Sequence, residues 1–210
     1  MIAARRSGAS TLTKRQGWAL PTEGDSDYLR RKAIQSHGLR FSPSGTLRPA
    51  VYSIATGYAT GILANQPVKL GTNGTIEAAA VGDRFIGTFQ GVTYTGTDGV
   101  QRFSNQWTAS TAGTNIQATV SLDPTIIYNI QANATMAVST IGGQYDFTAA
   151  SGSTTTGLST QMLDVASVAA NASLQVVGLT PGPDNAWGDT YPIVQVRISE
   201  HQMVADVAQF

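Results

Sequence analysis

Cysteine is absent from this chain of 210 residues. That absence removes disulfides, thiolate zinc sites, iron–sulfur clusters and thiol nucleophiles, and it leaves the redox compartment open. Histidine is scarce: His37 and His201 stand far apart and leave little material for acid–base or metal chemistry. Charged residues are only 12% of the chain, about half the usual share of roughly 25%. No long hydrophobic run occurs. The most apolar window, residues 50–64, is broken by Ser53, Thr56, Gly57, Thr60 and Gly61, well short of a span of about 20 apolar residues. The opening MIAARRSGAS lacks the apolar stretch of a secretory signal, so the expected product is a soluble chain made in a cytoplasm. No GxSxG, Walker, HExxH or CxxC motif is present. The expectation is a binding or structural protein without cofactor or metal, rather than an enzyme.

Small residues fill the gap: 26 Thr, 17 Ser, 27 Ala and 22 Gly. Such a chain is uncharged without being apolar, and it lacks the charge-rich signature of ordinary disorder. Its formal net charge of zero conceals an asymmetry. Residues 1–50 hold nine basic side chains (Arg5, Arg6, Lys14, Arg15, Arg30, Arg31, Lys32, Arg40, Arg48) against Glu23, Asp25 and Asp27, which makes +6. Residues 51–210 hold four basic and ten acidic side chains, which makes −6. An imbalance of this kind suggests segments that face different partners.

The first 50 residues also lack the makings of a core. Their larger apolar side chains, among them Trp18, Leu20, Tyr28, Leu29 and Phe41, are scattered. Only residues 25–36 read as a short helix, with Asp25 or Ser26 as cap and Gly38 beyond the end. The rest reads as an extended basic arm, punctuated by Pro21, Pro43 and Pro49. Alone it buries too little surface to offset an ordering cost of roughly 1–2 kcal/mol per residue. Trp18 stands out, because a large ring on a coreless segment has nothing local to bury against and Trp is enriched among binding hot spots.

From residue 51 onward the pattern changes to short strands between Gly, Asn and Asp turns. Residues 67–70 and 75–77 flank an Asn73-Gly74 turn signal. Residues 84–94 form an imperfect strand with bulges expected at Gly87 and Gly91. Further strands are expected at 100–107, 116–122, 126–131, 136–140, 173–180 and 191–200. In the last, Val194, Val196 and Ile198 alternate with Ile193, Gln195, Arg197 and Ser199. Residues 151–157 read as a low-complexity loop. Many short strands with frequent turns predict a mainly β fold: a single β-barrel or β-tulip-like body over 51–210, preceded by the arm. Asp184, Asn185 and Asp189 offer oxygens but lack the spacing of a calcium loop, and read as a structured turn anchored by Trp187. Trp107 reads as core or subunit contact. His201 reads as a surface pair with Glu200.

Two stretches of the body, residues 65–94 (NQPVKLGTNGTIEAAAVGDRFIGTFQGVTY) and 177–202 (VGLTPGPDNAWGDTYPIVQVRISEHQ), resemble decoration, or cement, proteins of tailed-bacteriophage heads. The first is also similar to the wider β-barrel head-decoration pattern of PVKL, a Gly turn, a short strand and FIGTF. The resemblance implies a compact β-barrel on the capsid exterior, commonly a homotrimer, that bridges major-capsid subunits and has no active site. On that footing the arm is the expected capsid-binding element, through Arg5, Arg6, Lys14, Arg15, Trp18, Leu20, Tyr28, Leu29, Arg30, Arg31, Lys32 and Phe41. No membrane partner is expected. Direct nucleic-acid contact is not expected either, because the arm has no dense Arg/Lys run and carries three acids. Two other readings remain open. One is a coat protein of a small icosahedral virus with a nucleic-acid-binding arm. The other is a virion fibre or carbohydrate-binding module, which would need exposed aromatics in a chain where aromatics are only 8%.

Overall fold

A computed structural model describes residues 38–41 and 48–206. In chain order the strands are β1 (Arg40–Phe41), β2 (Pro49–Tyr52), β3 (Pro67–Leu70), β4 (Ile76–Ala78), β5 (Gly87–Gly96), β6 (Gln101–Ser104), β7 (Gly113–Ser121), β8 (Tyr128–Gln131), β9 (Gln144–Tyr145), β10 (Gly152–Ser153), β11 (Leu158–Ser159), β12 (Leu174–Leu179) and β13 (Ile193–Ile198). Helical structure among the described residues amounts to two short 3-10 turns, Val138–Thr140 and Val165–Ser167. The fold is mainly β.

The strands form two principal antiparallel sheets. One has five strands in the order β1-β8-β13-β12-β9. The other has six, in the order β2-β7-β5-β3-β4, with β6 also paired to β5. A barrel, as expected from strand spacing, does not close among the described residues. Closure needs an unbroken ladder around every strand. Here each sheet keeps open edges, and a lone bridge, Phe85 to His201, joins the two near the end of β13.

Each sheet has its own apolar cluster. The five-stranded sheet buries Tyr128, Ile130, Leu174, Val176, Val194, Val196 and Ile198 with Phe85 and Phe147, whose rings meet edge to face at 5.8 Å. The six-stranded sheet buries Val68, Ile76, Phe89, Val92, Ala118 and Val120 around Trp107. The alternation of β13 accounts for its placement: Val194, Val196 and Ile198 point inward, while Gln195 and Arg197 face out.

Several expectations need correction. Residues 136–140 do not form a strand. The Thr140 amide donates to the Ala137 carbonyl at 3.0 Å and closes a 3-10 turn, and its hydroxyl donates to the same carbonyl at 2.7 Å, a local bond that competes with a ladder. Residues 151–157, expected as a loop, contain β10 and the tip of the small hairpin that it makes with β11. Gly91 does sit at a register shift, but Gly87 does not. Gly87 instead lets two backbones touch: a Cβ there would lie 1.6 Å from the Ser121 carbonyl oxygen. The sheets also take in residues assigned to the arm, since β1 pairs with β8 and Leu39 is fully buried.

Two glycines with positive φ therefore differ in consequence. Gly87→Ala forces the β5 and β7 backbones apart and is expected to cost about 3 kcal/mol. Gly74→Ala, at φ +73° with nothing within 4 Å, is expected to cost about 1 kcal/mol for the left-handed conformation alone. Urea unfolding of the two variants checks the contrast.

Candidate functional site

Of the expected capsid-binding residues, Arg5, Arg6, Lys14, Arg15, Trp18, Leu20, Tyr28, Leu29, Arg30, Arg31 and Lys32 lie outside the described residues, as does the helix expected at 25–36. Phe41 is the exception, and its backbone belongs to β1, paired with Tyr128. Trp107 is core, 1% exposed. Trp187 is partly buried against the cluster of the five-stranded sheet. Asn185 fixes its own turn: its side-chain amide donates to the carbonyls of Thr180 and Ile193 and accepts from the Ile193 amide, each at 2.8 Å.

His201 is not a surface residue. It is 3% exposed, because the chain after β13 turns into the seam between the sheets rather than out to Glu200's side. Its Nδ1 accepts from the Met203 amide at 3.1 Å. Nε2 therefore carries the proton and donates toward the carbonyls of Ile86, at 2.9 Å, and Leu122, at 3.2 Å. Gln202 continues the seam, accepting from the Leu70 amide at 2.7 Å and donating to the Leu70 carbonyl at 3.2 Å. A buried hydroxyl set lies behind it: Ser121 bonds Thr88 at 2.8 Å and the Tyr128 hydroxyl at 3.0 Å. Burial pushes the Tyr128 phenol up to about 12, against the opposing pull of its hydrogen bonds to Ser121 and Thr88.

The outer side of this seam is a groove of about 720 Å³. Its wall is apolar, with Ile141 46%, Val177 39% and Val204 47% exposed, and Pro124 and Ile127 beside them. Among the described residues Arg197 is the one charged side chain that lines it. Its guanidinium donates through Nε and Nη2 to Gln175 Oε1, at 2.8 and 2.6 Å. Gln175 is held in turn by its Nε2 bond to the Gly142 carbonyl at 2.9 Å. A second depression, of about 480 Å³, adjoins it through Pro124, Thr125, His201 and Val204, and reaches the Arg48–Asp123 ion pair. Hydrogen bonds from Thr125 hold the Asp123 carboxyl below its ordinary 3.8. In the turn between β4 and β5, burial acts to raise Asp83, but the Lys69 ammonium at 2.7 Å and the Ala80 amide outweigh it and hold the carboxyl low. Among the described residues no three His, Cys, Asp or Glu side chains gather as a metal cluster, and no helix is long and apolar enough to cross a membrane.

Sequence reasoning placed Arg197 in the alternating strand 191–200 but missed the groove. Its walls come from residues far apart in the chain, and only the register of β12, β13 and the segment after β13 brings them together. No family model, no curated protein and no solved structure matches the chain.

The Tyr128 phenol yields a pH signature. In the unfolded chain it ionises at its ordinary 10.0. Between there and about 12 the unfolded state releases a proton that the folded state keeps, so stability falls as pH rises. Tyr128→Phe is expected to cost about 1–2 kcal/mol at pH 7. In urea titrations its deficit relative to the unaltered chain is expected to hold steady up to pH 10 and to narrow above it.

Proposed function

We propose that this chain is a structural virion protein that decorates the outside of a phage capsid and stabilises it by bridging neighbouring major-capsid subunits. The observation that carries the reading is the resemblance of residues 65–94 and 177–202 to head-decoration proteins. Its physical support is that those two stretches meet in the fold. The first supplies β3, β4 and most of β5. The second supplies β13 and the His201–Gln202 seam that bonds back to Leu70 and Ile86.

The mechanics follow from the charge division. The −6 body is sparsely charged, and its net negative charge does not favour an acidic shell surface. The +6 segment before it seeks an acidic shell surface, with Trp18, Leu20, Tyr28 and Leu29 as apolar anchors. Individual contacts need not be strong, since linked second contacts act at high effective concentration. A homotrimer multiplies them. The buried Trp107 weighs against the carbohydrate module, which needs exposed aromatic platforms. Phe103, 81% exposed on β6, is too isolated to make one.

Two outcomes are expected. Deleting residues 1–37, which keeps Leu39 and β1, abolishes binding to undecorated heads while the far-ultraviolet β signal persists. Trp18→Ala in the full chain weakens binding more than Arg5→Ala. Equal binding by the deleted and full chains at low and moderate salt contradicts the reading. Light scattering of the purified chain is expected to give three times its 22.0 kDa; a monomer both in solution and on the particle contradicts the trimer.

A further inference from the structure

We infer that the Arg197 groove is a docking site for an extended, apolar peptide segment that carries one carboxylate. The guanidinium is the starting point. It is half-buried among apolar side chains, and among the described residues no carboxylate lies within 4 Å of it. Its bonds go to the neutral Oε1 of Gln175. A guanidinium has five N–H donors in a fixed fork, and Gln175 takes only one edge of it. The remaining donors, on a group whose charge is not compensated, suit a carboxylate, the anion that matches the fork in bidentate geometry. Gln175, anchored on Gly142, holds the fork in place before any ligand arrives.

The length of the groove suits a peptide. It is a partly open groove lined by the outward side chains Gln175, Val177 and Arg197 of β12 and β13. It runs from Ile141 beside β9, across β12 and β13, to Ile127 beside β8. Three strand spacings of about 4.8 Å make roughly 14 Å, the length of about four extended residues. The exposed Val177, Ile141 and Val204 supply apolar contacts on either side of the charge. The inference rests on the shell-decoration reading only in naming a major-capsid subunit as the source of the segment.

The test is an amide-shift titration of the full isotope-labelled chain, without capsids, using acetyl-Val-Ile-Glu-Val-amide as the probe. Saturable shifts at Arg197, Val177 and Ile141 are expected. Binding is expected to be about tenfold weaker for the probe with Gln in place of Glu, and for Arg197→Gln. The Gln probe on the unaltered chain carries the test should Arg197→Gln fail to fold. The absence of saturable shifts at these amides overturns the proposal, as does equal binding of the Glu and Gln probes. Decanoate binding at Arg197 in place of the peptide overturns it too, in favour of a lipid-like anion. Because no capsid is present, failure here leaves the shell reading intact, and failure of head binding leaves the groove intact.

Discussion

The His201 imidazole ties the end of the five-stranded sheet to the six-stranded one, beside the single Phe85–His201 backbone bridge that joins them among the described residues. Its ring lies where β13 of the five-stranded sheet ends, and its Nε2 meets the carbonyls just before β5 and just after β7 of the six-stranded sheet. Two open sheets with separate apolar clusters have no intrinsic reason to hold one relative orientation. Side-chain hydrogen bonds to buried backbone supply that reason, because a carbonyl deprived of its partner in a dry seam costs about 1–3 kcal/mol. Ser173 on the Asp83 carbonyl at 3.2 Å extends the same principle, the Thr88–Ser121–Tyr128 hydroxyls add a buried polar set behind it, and Gln202 on Leu70 adds an exposed pair at the rim. Cross-links of this kind take the place of a barrel's closed ladder.

Among the described residues, both sheets present exposed side chains on their outward faces. On one lies the Arg197 trough. On the other, Phe103 and Val51 stand out among threonines, on strands β6 and β2 at the margins of the six-stranded sheet. The basic N-terminal segment joins the body at β1, an edge of the same five-stranded sheet that carries the trough. A protein proposed to bridge capsid subunits needs several attachment surfaces on one stiff unit. Arm and trough would then contribute different chemistry: distributed positive charge with large anchors, and one oriented guanidinium in an apolar channel.

How much of this was legible in the sequence depended on the range of the interaction. The alternation of Val194, Val196 and Ile198 gave away β13, because period two is a local property. Asn73-Gly74 marked the β3–β4 connection for the same reason. The 3-10 turn at Val138–Thr140 was missed, since local backbone bonds, reinforced by the Thr140 hydroxyl, overrode an apolar, β-compatible run. β1 was missed because two residues are too few to show alternation. His201 was misread because its acidic neighbour in sequence, Glu200, suggested a surface pair, whereas its real partners, Ile86 and Leu122, are 115 and 79 residues away. The groove had no local signal at all: Ile141, Gln175, Arg197 and Val204 share a wall only through sheet register.

The central claim is that this chain sits on the outside of a phage shell as a bridging unit. The most direct measurement is an electron-microscopy reconstruction of undecorated, DNA-filled heads after incubation with the full chain. The account predicts discrete density on the outer surface, shaped as a two-sheet body in threefold clusters, each cluster touching more than one major-capsid subunit. Heads that gain no outer density, or density confined to the inner surface against the nucleic acid, would contradict it.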